Sequence, residues 1–239
     1  MKSENEILKQ GLLRCNINVN DEVINKFNKY MDLLIERNKS VNLTAMTEPY
    51  EIVAELFLGS VSVLNMNIIK PGMRIIDVGT GAGFPGIPIK IVKPEIDMTL
   101  LDASRKRVIF VSEVIDKLDL KGINVVHERA EILARQDTHR ENYDIVVSRA
   151  VAKLRTLCEY CIPFIKPGGL FLAYKGPGVN DEISDATNAI DLLGGEMVDV
   201  KNMDVPYSEK THNIVIIKKT KNTPNKYPRS TGKPKKSPL

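Results

Sequence analysis

"IIDVGTGAGFPG", residues 75–86, decides how this chain is read. An apolar run breaks abruptly into glycines, the residues that accept the positive φ of a tight strand-to-helix turn. Two registers overlap there. Gly81, Gly83 and Gly86 spell G-x-G-x-x-G, the dinucleotide-binding pattern. Asp77, Gly79, Gly81 and Gly83 spell D-x-G-x-G-x-G, shifted by two residues.

The surroundings choose between them. Asp77 stands two residues before the first glycine and is expected to face a cation, such as the ammonium of an amino acid. A dinucleotide pyrophosphate needs the opposite, free amides at a helix start. Pro85 and Pro88 each delete an amide donor there. The D-x-G-x-G-x-G register, and with it S-adenosylmethionine, is the expectation. Asp102 ends the next strand, where a carboxylate accepts from ribose hydroxyls of either cofactor.

Working outward, strands and helices alternate from Met73 onward. "MRIIDV" (73–78), "MTLLDA" (98–103), "INVVHE" (123–128), "YDIVVSRA" (143–150) and "LFLAYK" (170–175) are short apolar runs, with helical segments between them. Continuous apolar strands bounded by helices predict a mostly parallel sheet covered on both faces. "EMVDVKNM" and "HNIVIIKK" follow with a short connection between them, which predicts an antiparallel pair at the edge. The fold class is therefore α/β, a mostly parallel seven-stranded sheet with helices on both faces. Residues 1–70 read as a helical extension. Asn20 caps one helix (Ile24, Phe27, Met31, Leu34, Ile35), and Thr47 and Pro49 open another (Ile52, Leu56, Phe57, Val63, Leu64). The expected units are 1–70, 71–220 and a basic, proline-containing tail, 221–239.

Charge sharpens this division. The chain has 239 residues and a net charge of +4, yet residues 218–239 hold eight basic side chains and no acidic one. The remainder carries 26 basic against 30 acidic groups. An extended arm of this kind is expected to bind polyanions, because lysine and arginine neutralise phosphates whatever the base sequence. Three cysteines, Cys15, Cys158 and Cys161, are too few for a disulfide framework and fit a reducing cytoplasm. With scattered histidines they make no zinc set, so Cys158 and Cys161 read as helix core and no metal is expected. The chain has no apolar run long enough to span a membrane, and no membrane partner is expected.

Several stretches together resemble the bacterial 16S ribosomal RNA N7-guanine methyltransferases, also called glucose-inhibited division protein B. They are "RNKSVNLTA", "DVGTGAGFPGIPIKI", "LLDASRKRVIF", "ERAE", "SRAVAKL" and "NTPNKYPRSTGKPKKSPL". The resemblance implies the Rossmann-like S-adenosylmethionine-dependent methyltransferase fold, with S-adenosylmethionine as methyl donor, S-adenosylhomocysteine as product, and a guanine in 16S rRNA as acceptor, naked or within the 30S subunit or an assembly intermediate. It places the cofactor on Gly79, Phe84, Ala130, Glu131 and Arg149, beside Asp77, Gly81, Gly83 and Asp102 from the turn argument. Candidate RNA contacts are Asn38, Lys39 and Asn42 in the N-terminal connector, Lys175 after the fifth strand, and Lys226, Arg229 and Lys233 in the tail. A monomer is expected. This chain departs from the family in the second helical segment, where an H-x-x-D-S pattern reads Leu56, Phe57, Leu58, Gly59, Ser60; it also has Arg37 where a Trp is common.

Guanine N7 offers an in-plane lone pair without losing a proton, so no general base is required. Arg149 and Lys175 stand as positioning candidates only. No N-P-P-Y follows the fourth strand, and there is no Pro-Cys or Thr-Cys nucleophile. Two other classes remain open: a non-catalytic ribosome-assembly factor retaining the cofactor fold, and a nicotinamide oxidoreductase.

Overall fold

The structure, a computed structural model, describes residues 3–239. Two amphipathic helices come first, α1 (Glu4–Arg14) and α2 (Asp21–Asn38). Ser3 Oγ accepts from Glu6 N at 3.3 Å and Asn20 Oδ1 from Val23 N at 2.8 Å, satisfying free amides of each first turn. A composite helix follows. Its α turns α3 (Pro49–Glu51) and α4 (Gly59–Val61) flank a π-helical stretch, Ile52–Leu58, and a 3-10 turn closes it at Ser62–Met66.

The alternating region then runs β1 (Arg74–Val78), α5 (Gly86–Val92), β2 (Asp97–Asp102), α6 (Arg105–Lys117), β3 (Ile123–His127), α7 (Ala130–Leu133), β4 (Tyr143–Arg149), α8 (Leu154–Cys161), β5 (Ile165–Lys175), α9 (Val179–Leu192), β6 (Gly195–Met203), β7 (His212–Lys219) and α10 (Lys233–Lys236). The seven strands lie in the order β3-β2-β1-β4-β5-β7-β6. The first five are parallel, and β7 enters antiparallel between β5 and β6. The expected antiparallel pair is present, with β6 as the outer strand.

Side chains alternate across the sheet with period two. Ile75, Leu100, Ile145 and Leu172 join one core with the N-terminal helices, α5 and α6. Ile76, Leu101, Val146 and Phe171 join the other with α7, α8, α9 and Tyr227 of the C-terminal segment. Cys158 and Cys161 lie in this second core, fully buried.

The tail does not extend into solvent, which corrects the free-arm expectation. Thr223, Tyr227 and Pro234 are buried against the body. Arg140 donates to the carbonyls of Thr223 (2.7 Å) and Tyr227 (2.9 Å), and Arg135 donates to that of Pro228 (2.5 Å). Two of the eight basic groups are tied to the body: Lys219 is wholly buried, 3.1 Å from Glu141, and the half-buried Arg229 pairs with Glu159. A segment rich in proline loses little entropy on docking, and its backbone carbonyls find fixed guanidinium donors.

Candidate functional site

The glycine turn leaves β1 and bends back over β2, where Gly79 N and Thr80 N donate to Leu101 O at 2.8 and 3.0 Å. Gly79, Gly81 and Gly83 all have positive φ. Gly83, at φ 102°, matters most, since a Cβ there would stand 2.5 Å from Ile87 Cδ1 and 2.6 Å from Tyr30 Oη. A Cβ on Gly81 would meet nothing within 4 Å, so this glycine faces open space.

That space is a crevice of about 470 Å³ at the carboxyl ends of the parallel strands, where open α/β sheets take their ligands. Its walls bring together Gly79, Gly81, Phe84, Asp102, Ala130, Glu131 and Arg149. Asp102 is nearly buried; Oδ2 accepts from Gly81 N at 2.9 Å and Oδ1 from Ser104 N at 2.8 Å. Arg107, which sequence reasoning did not single out, lies 3.5 Å from the same carboxylate.

Asp77 is the exception, and it corrects the expectation that it faces a cofactor ammonium. It is fully buried below the turn. Its Oδ2 accepts from Thr80 Oγ1 at 2.7 Å and from Gly86 N at 2.9 Å, while Oδ1 has no hydrogen-bond partner. Burial pushes its carboxyl up to about 7, against the opposing effect of those two donors. Asp77 therefore ties the turn to the first amide of α5 and does not line the crevice.

Aromatic rings seat the turn from the N-terminal side. Tyr30 stacks between Phe57 and Phe84, at 5.5 and 5.3 Å between centroids, and its hydroxyl donates to Ala82 O at 2.5 Å. Arg149, at the end of β4, donates through Nη2 to Glu55 O at 2.8 Å and through Nη1 to Ser60 Oγ at 3.4 Å. The next residue, Ala150, sits at φ 56°, a strained setting for a side chain that often accompanies a functional turn. A Cβ on Gly59 would stand 3.3 Å from Arg149 Nη1. Gly59, where the resemblance led to the expectation of an acid, thus abuts the guanidinium. Leu56, where it led to the expectation of a histidine, lines the crevice.

Arg149, Ala150 and Val151 also wall a second cavity of about 700 Å³, with Tyr174, Glu55 and His212 on its other sides. Ser208 Oγ accepts from Lys210 N at 3.1 Å and donates to Glu55 Oε1 at 2.7 Å; His212 Nε2 lies 2.8 Å from the same hydroxyl. Burial holds His212 below its ordinary range, opposed by the Glu55 carboxylate.

The RNA-contact candidates separate in this geometry. Asn38 Oδ1 accepts from Leu43 N (2.8 Å) and Thr44 N (3.1 Å), and Nδ2 donates to Thr44 O (2.9 Å). It is corrected to a brace of the N-L-T segment, whose Leu43 and Thr44 line the crevice. Lys175 donates to Ala152 O at 2.8 Å and to Glu182 Oε2 at 2.7 Å, so it lines the second cavity with its ammonium held by an ion pair. Arg229 is likewise corrected, since its guanidinium chelates Glu159. Asn42, Lys226 and Lys233 are exposed, and Lys39 is exposed with Glu36 at 2.6 Å. Among the described residues no group of three or more side chains could hold a metal ion, and no helix is long and apolar enough to cross a membrane.

Residues 23–213 match the family described as rRNA small subunit methyltransferase G. Ribosomal RNA small subunit methyltransferase G of Alkaliphilus oremlandii is 48% identical over 234 residues, covering 98% of each chain. The protein of the same description from Clostridium botulinum (strain 657 / Type Ba4) is 46% identical over 233 residues, again covering 98% of each. Among solved structures, a SAM dependent methyltransferase from Aquifex aeolicus superimposes with a TM-score of 0.52 at 21% identity, covering 71% of this chain and 93% of that one. The M. jannaschii TYW2 structure in complex with AdoMet gives 0.51 at 13% identity, covering 67% and 76%. At these identities the structural likeness shows the fold, that of S-adenosylmethionine-dependent methyltransferases.

Proposed function

The chain belongs to the rRNA small subunit methyltransferase G family, and on that premise we propose that it methylates N7 of a guanine in 16S ribosomal RNA, using S-adenosylmethionine. The observation that carries this is the convergence of Gly81, Asp102, Glu131 and Arg149 on one crevice, open where a Gly81 Cβ would project. The donor set fits the cofactor. Asp102 suits the ribose hydroxyls, the Ala130–Glu131 segment the adenine edge, and the glycine turn lets backbone approach closely. When bound, the cofactor supplies an electrophilic sulfonium methyl.

The chain's own task is placement. Guanine N7 has its lone pair in the ring plane and no proton to lose, so rigid in-line alignment supplies most of the catalysis. Arg149, fixed to the composite helix, divides the crevice from the second cavity, which we assign to the acceptor nucleotide. Exposed lysines of the docked tail supply phosphate affinity independent of base identity. The protein acts as a cytoplasmic monomer on the 30S subunit or an assembly intermediate.

Incubation with tritiated S-adenosylmethionine and undermethylated 30S subunits tests the reading, with label expected in 16S RNA. The changes at Leu56 and Gly59 favour one rival, a non-catalytic assembly factor; tight cofactor binding without label transfer would establish it instead.

A further inference from the structure

Glu159 on α8 is wholly buried, and a buried carboxylate is costly unless it is paired and hydrogen-bonded. Its partner comes from the tail. Arg229 donates its backbone N to Oε1 at 2.7 Å, Nε to Oε1 at 2.9 Å and Nη2 to Oε2 at 2.6 Å. Three residues later the chain turns at Gly232, φ 81°, and Gly232 N donates to Glu131 Oε1 at 2.9 Å. Beyond it, Pro234 is buried and its carbonyl accepts from Thr156 Oγ1 at 3.5 Å.

Glu131 lines the cofactor crevice and is nearly buried. A carboxylate turns about its last bond unless one oxygen is held. Gly232 holds Oε1, which leaves Oε2 for a donor in the crevice. We infer that residues 229–234 form a strap that completes the cofactor site: Gly232 is the positioning group for Glu131, and the Arg229–Glu159 pair is its anchor. The tail thus acts on the cofactor as well as on RNA. This rests on the reading of Glu131 as a cofactor contact.

A chain ending at Ser230 tests it, because it removes Gly232 yet retains Arg229, Tyr227 and Thr223. Calorimetry with S-adenosylhomocysteine and no RNA is expected to show roughly tenfold weaker binding, the scale of one hydrogen bond to a charged group. Glu131→Gln in the full chain is expected to weaken binding as well, and the truncation to add nothing further in that background. Full-length Lys235→Ala/Lys236→Ala is expected to retain cofactor affinity, separating strap from charge. Should the truncated chain fail to fold, Arg229→Lys, which keeps the charge but loses the planar fork, is read in the same cycle with the same expectation of a loss that disappears in Glu131→Gln. Wild-type affinity in the shortened chain, with Glu131→Gln weak, overturns the strap alone. A loss of equal size in both backgrounds means general loosening and also overturns it. A Glu131→Gln protein that binds like wild type removes Glu131 from the site, and the strap's role with it. A wild-type chain that binds no cofactor overturns the methyltransferase reading itself.

Discussion

Asp77 carries the clearest consequence at the scale of one residue. Its carboxyl ionises near 3.8 in the unfolded chain and near 7 in the fold, because burial disfavours the charge more than Thr80 and Gly86 favour it. Between those values the unfolded chain has lost its proton while the folded one retains it, so stability falls as pH rises, and above about 7 the cost is complete. An Asn at this position keeps an oxygen for both donors and never ionises. In the ligand-free protein, the melting temperature of Asp77→Asn relative to wild type should climb from about pH 4 to about pH 7 and then level; a difference that stays constant across that range would contradict the assignment. The D-x-G-x-G-x-G spacing located the crevice, but spacing does not say which way a strand-end carboxylate points. Asp77 shares its side of β1 with Ile75, which faces the N-terminal helices. The alternation along "IIDV" held that signal.

At the scale of elements, the glycine turn is seated by helices distant in sequence. Tyr30 of α2 reaches Ala82 O across 52 residues, so Tyr30→Phe leaves a buried carbonyl without its donor. A loss of about 1–3 kcal/mol is expected from denaturant titration, together with weaker cofactor binding; an unchanged transition midpoint would show that the turn holds its shape unaided. The parallel strands were legible because a strand buried on both faces is a continuous apolar run. The helical periodicity of residues 20–66 showed an apolar face but not its partner, since helical spacing contains no address. Nor did it reveal the π-helical stretch at Ile52–Leu58, over which Glu55 O meets Arg149. The Arg149 candidate came with the family resemblance; the geometry of its restraint depended on a segment nearly a hundred residues earlier.

For the whole molecule, the count of basic residues in the tail was plain in the sequence and its conformation was not. Composition reads proline and lysine as extended and solvated, whereas the complementary groups, Glu159, Arg135, Arg140 and Glu131, are scattered through the central region and meet only in the fold. Arg229→Met leaves Glu159 buried without its cation, and a loss of about 3–5 kcal/mol is expected; urea unfolding with an unaltered midpoint would show that the pair is not an anchor. Neutralising the exposed Lys226, Lys233, Lys235 and Lys236 should leave that midpoint alone. It should flatten the dependence of RNA affinity on salt, by about one unit of log-log slope for each phosphate that is no longer neutralised. An unchanged slope would take these tail lysines out of the RNA interface. Above all of these stands the proposal that rigid placement beside Arg149 delivers a methyl group to guanine N7. Its most direct measurement is chemical mapping of 16S RNA after reaction with undermethylated 30S subunits, by borohydride reduction and aniline cleavage, which break the chain at N7-methylguanine. New cleavage at a single guanine is expected, and methyl label incorporated into RNA that resists this cleavage would contradict transfer to N7.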